Sequence, residues 1–459
     1  MTTRPAAAPG TRVSPARVEA LRILCRVEED QAFADLALDA TLERAKLPAR
    51  DRALTTELVY GTLRWQRRLD WILAPHSRRR LERLDPWVRN LLRLTVYQLQ
   101  FLHKVPHWAA VNDAVSLAKR RGHGEAASFI NAVLRSLTRS GGSLPPLPDD
   151  PVEAAATRLA FPSWIATRWV ARLGLEEAER LMTALDERPD ITIRANLLKC
   201  SRPQLLRRLN EEEEVACSAT TFVPEGLVLE SPGPAFRFKA FKEGWFTFQD
   251  VASILVGHLL APKPGETVAD ICAAPGTKTT HLAALMQNSG KVIAIDPHAA
   301  RLRLVGQAAK RLGIRIVECH GGSAEALAPK FKDRFDRVLV DAPCSNLGVL
   351  RRNPDVKWRR TETDLRRLSD RQRTILEAAA SMCRPGGALV YATCSLEPEE
   401  NEAVVLPFLE THPEWRFDPP PLFPIPLEPP GVLRCLPHRH GTDGFTAFRL
   451  RRESIEAQA

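Results

Sequence analysis

The chain has 459 residues, 44% hydrophobic and 26% charged, a composition typical of globular proteins with two or three domains. No apolar run approaches the length of a membrane span, and Met1 to Arg12 lack the apolar core of a signal peptide, so we expect a cytoplasmic protein with no membrane partner. The nine cysteines are scattered and form no Cys-x-x-Cys pair, which predicts reduced thiols and no metal site.

The net charge of +10 is confined to the N-terminal part of the chain. Residues 1–140 hold 24 lysines and arginines against 14 aspartates and glutamates, whereas the remaining residues hold 41 of each class. A basic excess confined to one region suits a polyanion, with RNA as the obvious candidate. The alternative is a solvated, arginine-rich surface.

Residues 13–138 follow a helical pattern and show no strand signals, which predicts an all-α domain over residues 1–140. Asp51 is predicted to cap a long helix that runs through Ile72, and Asp85 with Pro86 is predicted to begin another. Six arginines in this region are candidates for phosphate contact, or equally for exposed helix-face charges: Arg64, Arg67, Arg68, Arg78, Arg79 and Arg80.

Residues 141–150 combine glycine with prolines and are predicted to be a linker. Residues 151–235 are predicted to form a small α+β domain. From about Phe236 strands and helices alternate, which predicts a doubly wound parallel sheet over residues 236–452. Its predicted strands are Thr267–Ile271, Val292–Ile295, Arg315–Glu318, Phe335–Val340 and Ala388–Ala392.

Two predicted strands each end in a loop that carries a cysteine. The strand Phe335–Val340 runs into Asp341 and Cys344, and the strand Ala388–Ala392 runs into Cys394. Ligands bind at the carboxyl ends of the strands in an open α/β sheet. A single cysteine is more often a small core residue, but two cysteines and a carboxylate at strand ends indicate an active site.

A third strand turns into a helix through a loop of small residues, Cys272-Ala273-Ala274-Pro275-Gly276-Thr277-Lys278. Small residues let backbone N–H groups approach a ligand closely, and the helix N-terminus favours negative charge. Asp296 ends the next strand, twenty positions after Gly276, where an acid can accept hydrogen bonds from ribose hydroxyls. The loop lacks Gly-x-Gly-x-x-Gly, which argues against a dinucleotide, and the alternative is a tight turn with no ligand.

These motifs resemble those of the RNA cytosine-5 methyltransferases of the NOL/Sun family, its bacterial Sun branch above all, over nearly the whole chain. The stretches Glu57–Arg64 and Phe129–Arg135 are similar to the NusB-type RNA-binding domain that precedes the catalytic domain in that branch. The resemblance implies a multidomain protein with an all-α NusB-like bundle, a small α+β linker domain and an α/β Rossmann-like class I methyltransferase domain. The sheet of that last domain is expected to be doubly wound and mostly parallel.

The resemblance also assigns roles to the site residues. It implies that Cys394 is the nucleophile that adds to carbon-6 of cytosine, that Cys344 assists the elimination that frees the product, and that Asp341 hydrogen-bonds ring nitrogen-3. S-adenosylmethionine is the implied cofactor. The residues implied to bind it are Cys272, Ala273, Ala274, Pro275, Gly276, Thr277, Lys278, Asp296, Gly322 and Asp341.

Two positions depart from the family pattern. Thr277 stands where the family usually has a second glycine, and it is expected to cap the helix. Gly322 stands where the family has an acid on the adenine side, so backbone groups or the Ser323 hydroxyl are the candidate substitutes. A free thiol has a pKa of about 8.5, so the nucleophile needs activation by a cation or by a helix expected to begin near Glu397.

The segment 348–360 carries five cations and Trp358, which predicts phosphate contact and stacking on a nucleotide, with solvated surface as the alternative. By resemblance the RNA partner is small-subunit ribosomal RNA, and we expect a monomer. Two further functions stay open. One is a transfer RNA cytosine-5 methyltransferase, and the other is a non-catalytic RNA-binding assembly factor that depends on the NusB-like domain.

Overall fold

The structure, a computed structural model, describes residues 13–120, 124–141, 143–230 and 238–454. The chain divides into two compact units, Met1–Asp186 with Leu350–Arg359 and Glu187–Val349 with Arg360–Ala459. The division at Asp186 falls inside the stretch 151–235, and the domain boundaries inferred from the sequence stay predictions. The boundary at 235/236, linker residue Gly142 and the segment Met1 to Arg12 lie outside the described residues.

The helices of the described residues are numbered in chain order. They are α1 (Pro15–Glu29), α2 (Ala34–Arg44), α3 (Ala49–Arg64), α4 (Gln66–Leu73), α5 (Pro86–Phe101), α6 (His107–Arg120), α7 (Gly124–Arg139), α8 (Pro151–Arg158), α9 (Ser163–Leu173), α10 (Leu175–Asp186), α11 (Arg202–Glu211), α12 (Lys239–Lys242), α13 (Val251–Leu260), α14 (Thr277–Leu285), α15 (Ala299–Leu312), α16 (Ala324–Phe331), α17 (Val356–Arg359), α18 (Glu362–Met382), α19 (Glu402–Thr411) and α20 (Pro437–His440). Within these ranges no helix is long and apolar enough to cross a membrane.

The strands are numbered in the same way. They are β1 (Ile191–Ala195), β2 (Cys217–Ala219), β3 (Gly226–Leu229), β4 (Phe246–Phe248), β5 (Thr267–Ile271), β6 (Lys291–Asp296), β7 (Val317–Gly321), β8 (Phe335–Asp341), β9 (Cys383–Thr393), β10 (Trp415–Phe417), β11 (Val432–Cys435) and β12 (Phe445–Arg452). All of them lie in the second unit.

The first unit is helical, with a core to which α1, α5 and α7 contribute the most buried residues. The Asp85 carboxylate accepts hydrogen bonds from the backbone N–H groups of Trp87 and Val88, which satisfies two free donors at the start of α5 and confirms the predicted cap. The cap predicted at Asp51 is wrong. Helix α3 begins two residues earlier, at Ala49, and it ends at Arg64, so α3 and α4 are separate helices.

Three of the six candidate arginines are held by protein groups of the first unit. Arg64 donates to the carbonyl of Arg351 at 2.9 Å, Arg67 donates to Glu153, and Arg68 donates to a backbone carbonyl at 3.2 Å. Each of these guanidinium groups therefore has a protein partner, and their contact with phosphate stays a prediction. The triplet Arg78, Arg79 and Arg80 is exposed.

The segment Leu350–Arg359 packs within the first unit. Lys357 is 1% exposed and forms an ion pair with Asp186, and the Trp358 indole N–H donates to the carbonyl of Leu63 at 2.6 Å. Burial raises the pKa of Asp186 to about 6, although the neighbouring Lys357 lowers it. The predicted phosphate contact by Lys357 is therefore wrong, because this side chain is buried in an ion pair of the first unit. Trp358 is half-buried, and its stacking on a nucleotide stays a prediction.

The second unit contains two sheets. A four-stranded antiparallel sheet has the order β2-β3-β1-β4, and an eight-stranded sheet has the order β10-β12-β9-β8-β5-β6-β7, with β11 paired to β12. Strands β5 to β9 run parallel, and β12 is antiparallel to β9. The prediction of a doubly wound, mostly parallel sheet is confirmed.

Apolar side chains cover both faces of this large sheet. Along β8, Val338 and Val340 face the core formed with α18 and α19, whereas Leu339 between them faces the core formed with α13 and α14. The strand order reverses between β5 and β8, because β6 and β7 lie on one side of β5 and β8 returns to the other. Such a switch point is where open α/β sheets bind ligands.

Candidate active site

The predicted cysteines meet at the carboxyl ends of β8 and β9. Asp341 of β8 pairs in register with Ala392 of β9, and the following loops are joined by a hydrogen bond from Gly348 N–H to the Cys394 carbonyl at 3.0 Å. This pairing brings the Sγ atoms of Cys344 and Cys394 to 3.2 Å, close enough for an S–H···S hydrogen bond. The two thiols were separated by 50 residues in the sequence, so only the strand register makes them neighbours.

The two thiols differ in environment. Cys344 is buried, whereas Cys394 is half-buried and therefore more accessible. The hydrogen bond with Cys394 and burial together raise the pKa of Cys344 well above its usual value. Cys344 therefore keeps its proton at neutral pH and can donate it in a hydrogen bond to the Cys394 sulfur.

Lys278, predicted to bind the cofactor, contacts the predicted catalytic carboxylate. Its ammonium lies 2.7 Å from Oδ2 of Asp341 and 4.9 Å from the ring centroid of Phe445. Burial alone would lower the pKa of Lys278, but the charges of Asp341 and Cys394 and the hydrogen bond to Asp341 raise it. A positive charge therefore lies beside both Asp341 and the nucleophile candidate.

The Glu400 carboxylate joins the two cysteine loops, and sequence reasoning missed it. It accepts hydrogen bonds from the Ser345 N–H at 2.7 Å, from the hydroxyls of Ser345 and Ser395 at 2.5 Å each, and from the Gln372 amide at 3.0 Å. Glu400 is fully buried, and burial raises its pKa although these hydrogen bonds lower it. Serines directly after both cysteines were the signal that a shared acceptor lies between the loops.

Asn346 was also missed. Its Oδ1 lies 3.0 Å from the Cys394 Sγ and 3.5 Å from the Cys344 Sγ, and its backbone adopts the left-handed conformation with φ of +65°. The helix expected near Glu397 begins with a short 3₁₀ turn at Pro398–Glu400, and α19 follows it.

The predicted cofactor loop follows β5. Cys272 has φ of +62° and Gly276 has φ of +103°, so the chain turns sharply at both ends of the loop. A Cβ on Gly276 would lie 3.0 Å from the Cα of Val305, which explains the glycine. Gly276 is the N-cap residue and Thr277 is the first residue of α14, so the predicted capping role of Thr277 is wrong, and its helical backbone needs no glycine.

The Asp296 carboxylate lies under this loop. Its Oδ2 accepts from the Ala274 N–H at 3.3 Å and its Oδ1 accepts from the His298 N–H at 2.9 Å, while the Ala273 N–H bonds to the carbonyl of Ile295. Burial raises the pKa of Cys272 to about 12, so this thiol is unreactive and lines the loop.

A cavity of about 190 Å³ opens beside the loop at the ends of β5, β6 and β7. Its wall includes Cys272, Gly322 and Ser323, together with apolar side chains such as Ile295 and Ile375. The Ser323 hydroxyl accepts from the Ala326 N–H and caps α16, so it is engaged by the protein. The acid in this region is Glu325, which forms an ion pair at 2.5 Å with Arg371, itself part of the cavity wall.

A polar cluster lies outside this site. Glu225, His258 and His281 are the described residues whose metal-ligating atoms lie within 4.8 Å of one another. Both imidazoles contact Oε1 of Glu225, at 2.8 and 2.9 Å, and burial followed by the charge of Arg194 lowers the pKa of His281 to about 3. A buried guanidinium disfavours a further cation, so we describe the cluster as a hydrogen-bonded network, and the absence of a metal site stays a prediction.

Comparisons with known proteins identify three matching stretches. Residues 14–139 match the NusB family, residues 161–235 match the ferredoxin-like domain of RsmF/B-like methyltransferases, and residues 257–451 match the 16S rRNA methyltransferase RsmB/F family. The Bacillus subtilis protein named "Probable ribosomal RNA small subunit methyltransferase B" is 38% identical over 442 residues, which cover 95% of this chain and 98% of that protein.

Solved structures agree with this match. The crystal structure of PH0851 is 31% identical with a TM-score of 0.82 and covers 97% of this chain and 100% of its own. The crystal structure of NSun6 from Pyrococcus horikoshii with SFG is 27% identical with a TM-score of 0.58, over 64% of this chain and 98% of its own. The family resemblance drawn from the motifs is confirmed, and the chain belongs to the RsmB/F family of 16S rRNA methyltransferases.

Proposed function

We propose that this protein transfers a methyl group from S-adenosylmethionine to carbon-5 of a cytosine in small-subunit ribosomal RNA, through a covalent adduct with Cys394. The observation that carries the proposal is the pair of thiols 3.2 Å apart, next to the ion pair of Lys278 and Asp341. A relative named as a small-subunit ribosomal RNA methyltransferase supports the class of substrate.

Carbon-5 of cytosine is a poor nucleophile, and covalent addition at carbon-6 activates it. The Cys394 thiolate forms a carbon–sulfur bond at carbon-6, and the displaced electron pair makes the ring an enamine-like nucleophile at carbon-5. Asp341 would hydrogen-bond nitrogen-3, where negative charge builds up, and the Lys278 ammonium beside it supplies the compensating charge and a transferable proton. When bound, S-adenosylmethionine supplies the electrophilic methyl group that carbon-5 attacks.

Release of the product reverses the first bond. The proton on carbon-5 passes to a base, the ring double bond re-forms, and the Cys394 sulfur leaves carbon-6 with the bonding electron pair. Cys344, which keeps its proton, lies 3.2 Å from that sulfur and can donate a hydrogen bond to it as negative charge returns. This arrangement supports Cys394 as the nucleophile and Cys344 as the group that assists elimination.

The residues around the cavity fit S-adenosylmethionine. The backbone groups of the loop from Cys272 to Lys278 would contact the cofactor. The Asp296 carboxylate accepts hydrogen bonds from the backbone N–H groups of Ala274 and His298, and its remaining lone pairs would accept from the ribose hydroxyls. Apolar cavity walls suit an adenine ring. With Gly322 in place of an acid, the adenine would rely on backbone groups in this region.

The basic first unit is proposed to bind the RNA, with Arg78, Arg79 and Arg80 as exposed cations. A monomer stays the prediction for the free protein. The two remaining alternatives, a transfer RNA substrate and a non-catalytic assembly factor, are decided by the experiment below.

The test compares wild type, Cys394→Ala and Cys344→Ala. Each protein is incubated with tritiated S-adenosylmethionine and protein-free small-subunit RNA or transfer RNA, followed by denaturing gels and bisulfite sequencing. We expect wild type to methylate one cytosine of the ribosomal RNA, Cys394→Ala to lose transfer, and Cys344→Ala to accumulate a covalent protein–RNA adduct.

Other outcomes would replace the proposal. Methylation of transfer RNA alone would change the substrate, and retention of full activity by Cys394→Ala would remove the covalent step. If wild type binds RNA but transfers no methyl group to either RNA, the result would favour a non-catalytic RNA-binding assembly factor over an enzyme.

A further inference from the structure

Asn346 occupies an unusual backbone position between the two thiols. Its φ of +65° lies in the left-handed region, which glycine adopts without strain and asparagine tolerates better than most residues. It follows Cys344 and Ser345 directly and precedes the 3₁₀ turn at Leu347–Val349. Left-handed non-glycine residues are often found at active sites, where the side chain they present has a function.

The Asn346 side chain touches both sulfur atoms. Its Oδ1 lies 3.0 Å from the Sγ of Cys394 and 3.5 Å from the Sγ of Cys344, so it can accept an S–H hydrogen bond from either thiol. The side chain is half-buried, as is Cys394, so the contact lies at the accessible side of the pair. The charged groups nearby are Lys278, Asp341, Glu400 and Arg360, whose guanidinium donates to the carbonyls of Ser345 at 3.0 Å and Cys344 at 3.4 Å.

We propose that Asn346 is a catalytic residue whose carboxamide hydrogen-bonds the Cys394 sulfur in both of its states, and that it favours the ionised nucleophile. The proposal rests on the proposed role of Cys394. When Cys394 is a thiol, Oδ1 accepts its S–H. When Cys394 loses the proton, rotation of the carboxamide by a half-turn brings the Nδ2–H₂ group to the same place, where it donates to the thiolate.

A carboxamide suits this task better than a carboxylate or a hydrocarbon. Its oxygen and nitrogen are nearly equal in size, so the half-turn changes the polarity of the contact without changing its shape. A hydrogen bond to a charged group is stronger than one to a neutral group, so the donor state is favoured once the thiolate forms. The same group serves again when Cys394 leaves carbon-6 as a thiolate.

The test measures alkylation of Cys394 by iodoacetamide between pH 6 and pH 10, without RNA or S-adenosylmethionine. Tandem mass spectrometry distinguishes Cys394 from the other cysteines, and the rate follows the thiolate fraction. The variants are Asn346→Gly and Asn346→Asp. Glycine fits φ of +65° without strain, so Asn346→Gly removes the carboxamide alone, and aspartate keeps the shape but faces the sulfur with negative charge.

For Asn346→Gly we expect the midpoint of the pH–rate curve to rise by about one unit, a roughly tenfold loss of alkylation rate at pH 7. Asn346→Asp should move the midpoint further in the same direction, because a carboxylate repels the thiolate. The matched control is Asn288→Gly, which removes a carboxamide from another asparagine with positive φ, +58°, in the same unit, and it should leave the midpoint unchanged.

Methyl transfer provides the second readout. The maximal rate of Asn346→Gly should fall about tenfold at pH 7 and approach the wild-type rate near pH 9, with the KM for RNA unchanged. A merely structural role would lower the rate equally at both pH values. If Asn346→Gly and Asn346→Asp both show the wild-type midpoint, the proposal is overturned.

The two proposals fail in different ways. Retention of methyl transfer by Cys394→Ala would remove the proposed function, while the alkylation curve would still report whether Asn346 favours the thiolate. An unchanged alkylation curve with an inactive Cys394→Ala protein would leave the proposed function intact and remove only the role of Asn346.

Discussion

The Lys278 ammonium lies 2.7 Å from the Asp341 carboxylate, whose charge and hydrogen bond raise the pKa of Lys278 against the opposing effect of burial. Lys278 reaches this position from the first turn of α14, at the end of the expected cofactor loop. The ion pair of Lys278 and Asp341 therefore joins the expected cofactor loop to the strand end where the cytosine is expected to react.

Replacing Lys278 by methionine is expected to lower the maximal rate of methyl transfer by about a hundredfold, because the charge that builds up on the cytosine ring loses its counter-charge. Single-turnover transfer of a tritiated methyl group measures the effect. The matched control is Lys291→Met, which removes an exposed lysine ion-paired with Glu318 in the same unit and should retain the wild-type rate. Equal rates for wild type and Lys278→Met would refute the role of Lys278.

Glu400→Gln is expected to disrupt both cysteine loops. The Glu400 carboxylate now accepts four hydrogen bonds, from the Ser345 N–H, the hydroxyls of Ser345 and Ser395, and the Gln372 amide. Glutamine replaces one of the two acceptor oxygens by an NH₂ group, so at least one buried donor loses its partner. We expect a loss of about 2 to 3 kcal/mol in the free energy of unfolding, together with a large fall in methyl transfer.

Urea unfolding and the transfer assay measure the two effects of Glu400→Gln. The exposed Glu410→Gln on α19 is the control and should change neither quantity. A Glu400→Gln protein with wild-type stability and wild-type activity would show that the four hydrogen bonds do not hold the loops in place.

Because His281 is buried with a lowered pKa, we expect the free energy of unfolding to fall at acid pH. The pKa of His281 is about 3 in the folded protein and about 6.5 in an unfolded chain, so the unfolded chain binds the proton first as pH falls. The free energy of unfolding therefore decreases below pH 6.5, by at most about 1.4 kcal/mol per pH unit, and the loss continues down to the folded pKa.

Urea unfolding of wild type and His281→Asn at pH 7.5 and pH 5.0 checks the His281 prediction. We expect the wild-type protein to lose roughly 2 kcal/mol more than the variant over this interval, since asparagine does not titrate. The exposed His103→Asn is the control and should keep the wild-type pH dependence. An identical pH dependence for His281→Asn would contradict the lowered pKa.

The ion pair of Lys357 and Asp186 is expected to stabilise the first unit only as a pair. Lys357→Met leaves a buried carboxylate without its counter-charge and should cost about 3 to 5 kcal/mol in the free energy of unfolding. The double variant with Asp186→Leu should recover most of that loss, whereas Lys119→Met on the exposed end of α6 should have little effect. A double variant as unstable as Lys357→Met would rule out the pairing explanation.

Replacement of Arg78, Arg79 and Arg80 by alanine tests the RNA-binding surface. If all three contact phosphates of a single strand, the slope of log affinity against log salt concentration should become shallower by about 2, with little change in stability. Filter binding between 50 and 300 mM salt measures the slope. A slope that stays as steep as in wild type would place the phosphate contacts elsewhere on the protein.

Several features of the fold and the site could be predicted from the sequence because they depend on local chemistry. Strand β5 was predicted with its observed bounds, since its apolar residues and the flanking turn residues define a short element locally. The loops that carry Cys344 and Cys394 were predicted at strand ends for the same reason. The break between α3 and α4 was missed, because both halves share one apolar pattern.

The sequence by itself determined that the strands of the second unit form a mostly parallel sheet, and it indicated Asp341, Cys344 and Cys394 as candidate site residues at the ends of those strands. Only the tertiary structure decided how they meet: the 3.2 Å contact of Cys344 with Cys394, the four hydrogen bonds to Glu400 and the burial of Lys357. The physical reason is that each of these depends on strand register or on packing between segments far apart in the chain. A buried charge is tolerated only where such packing supplies its partner, and residue type alone does not reveal that partner.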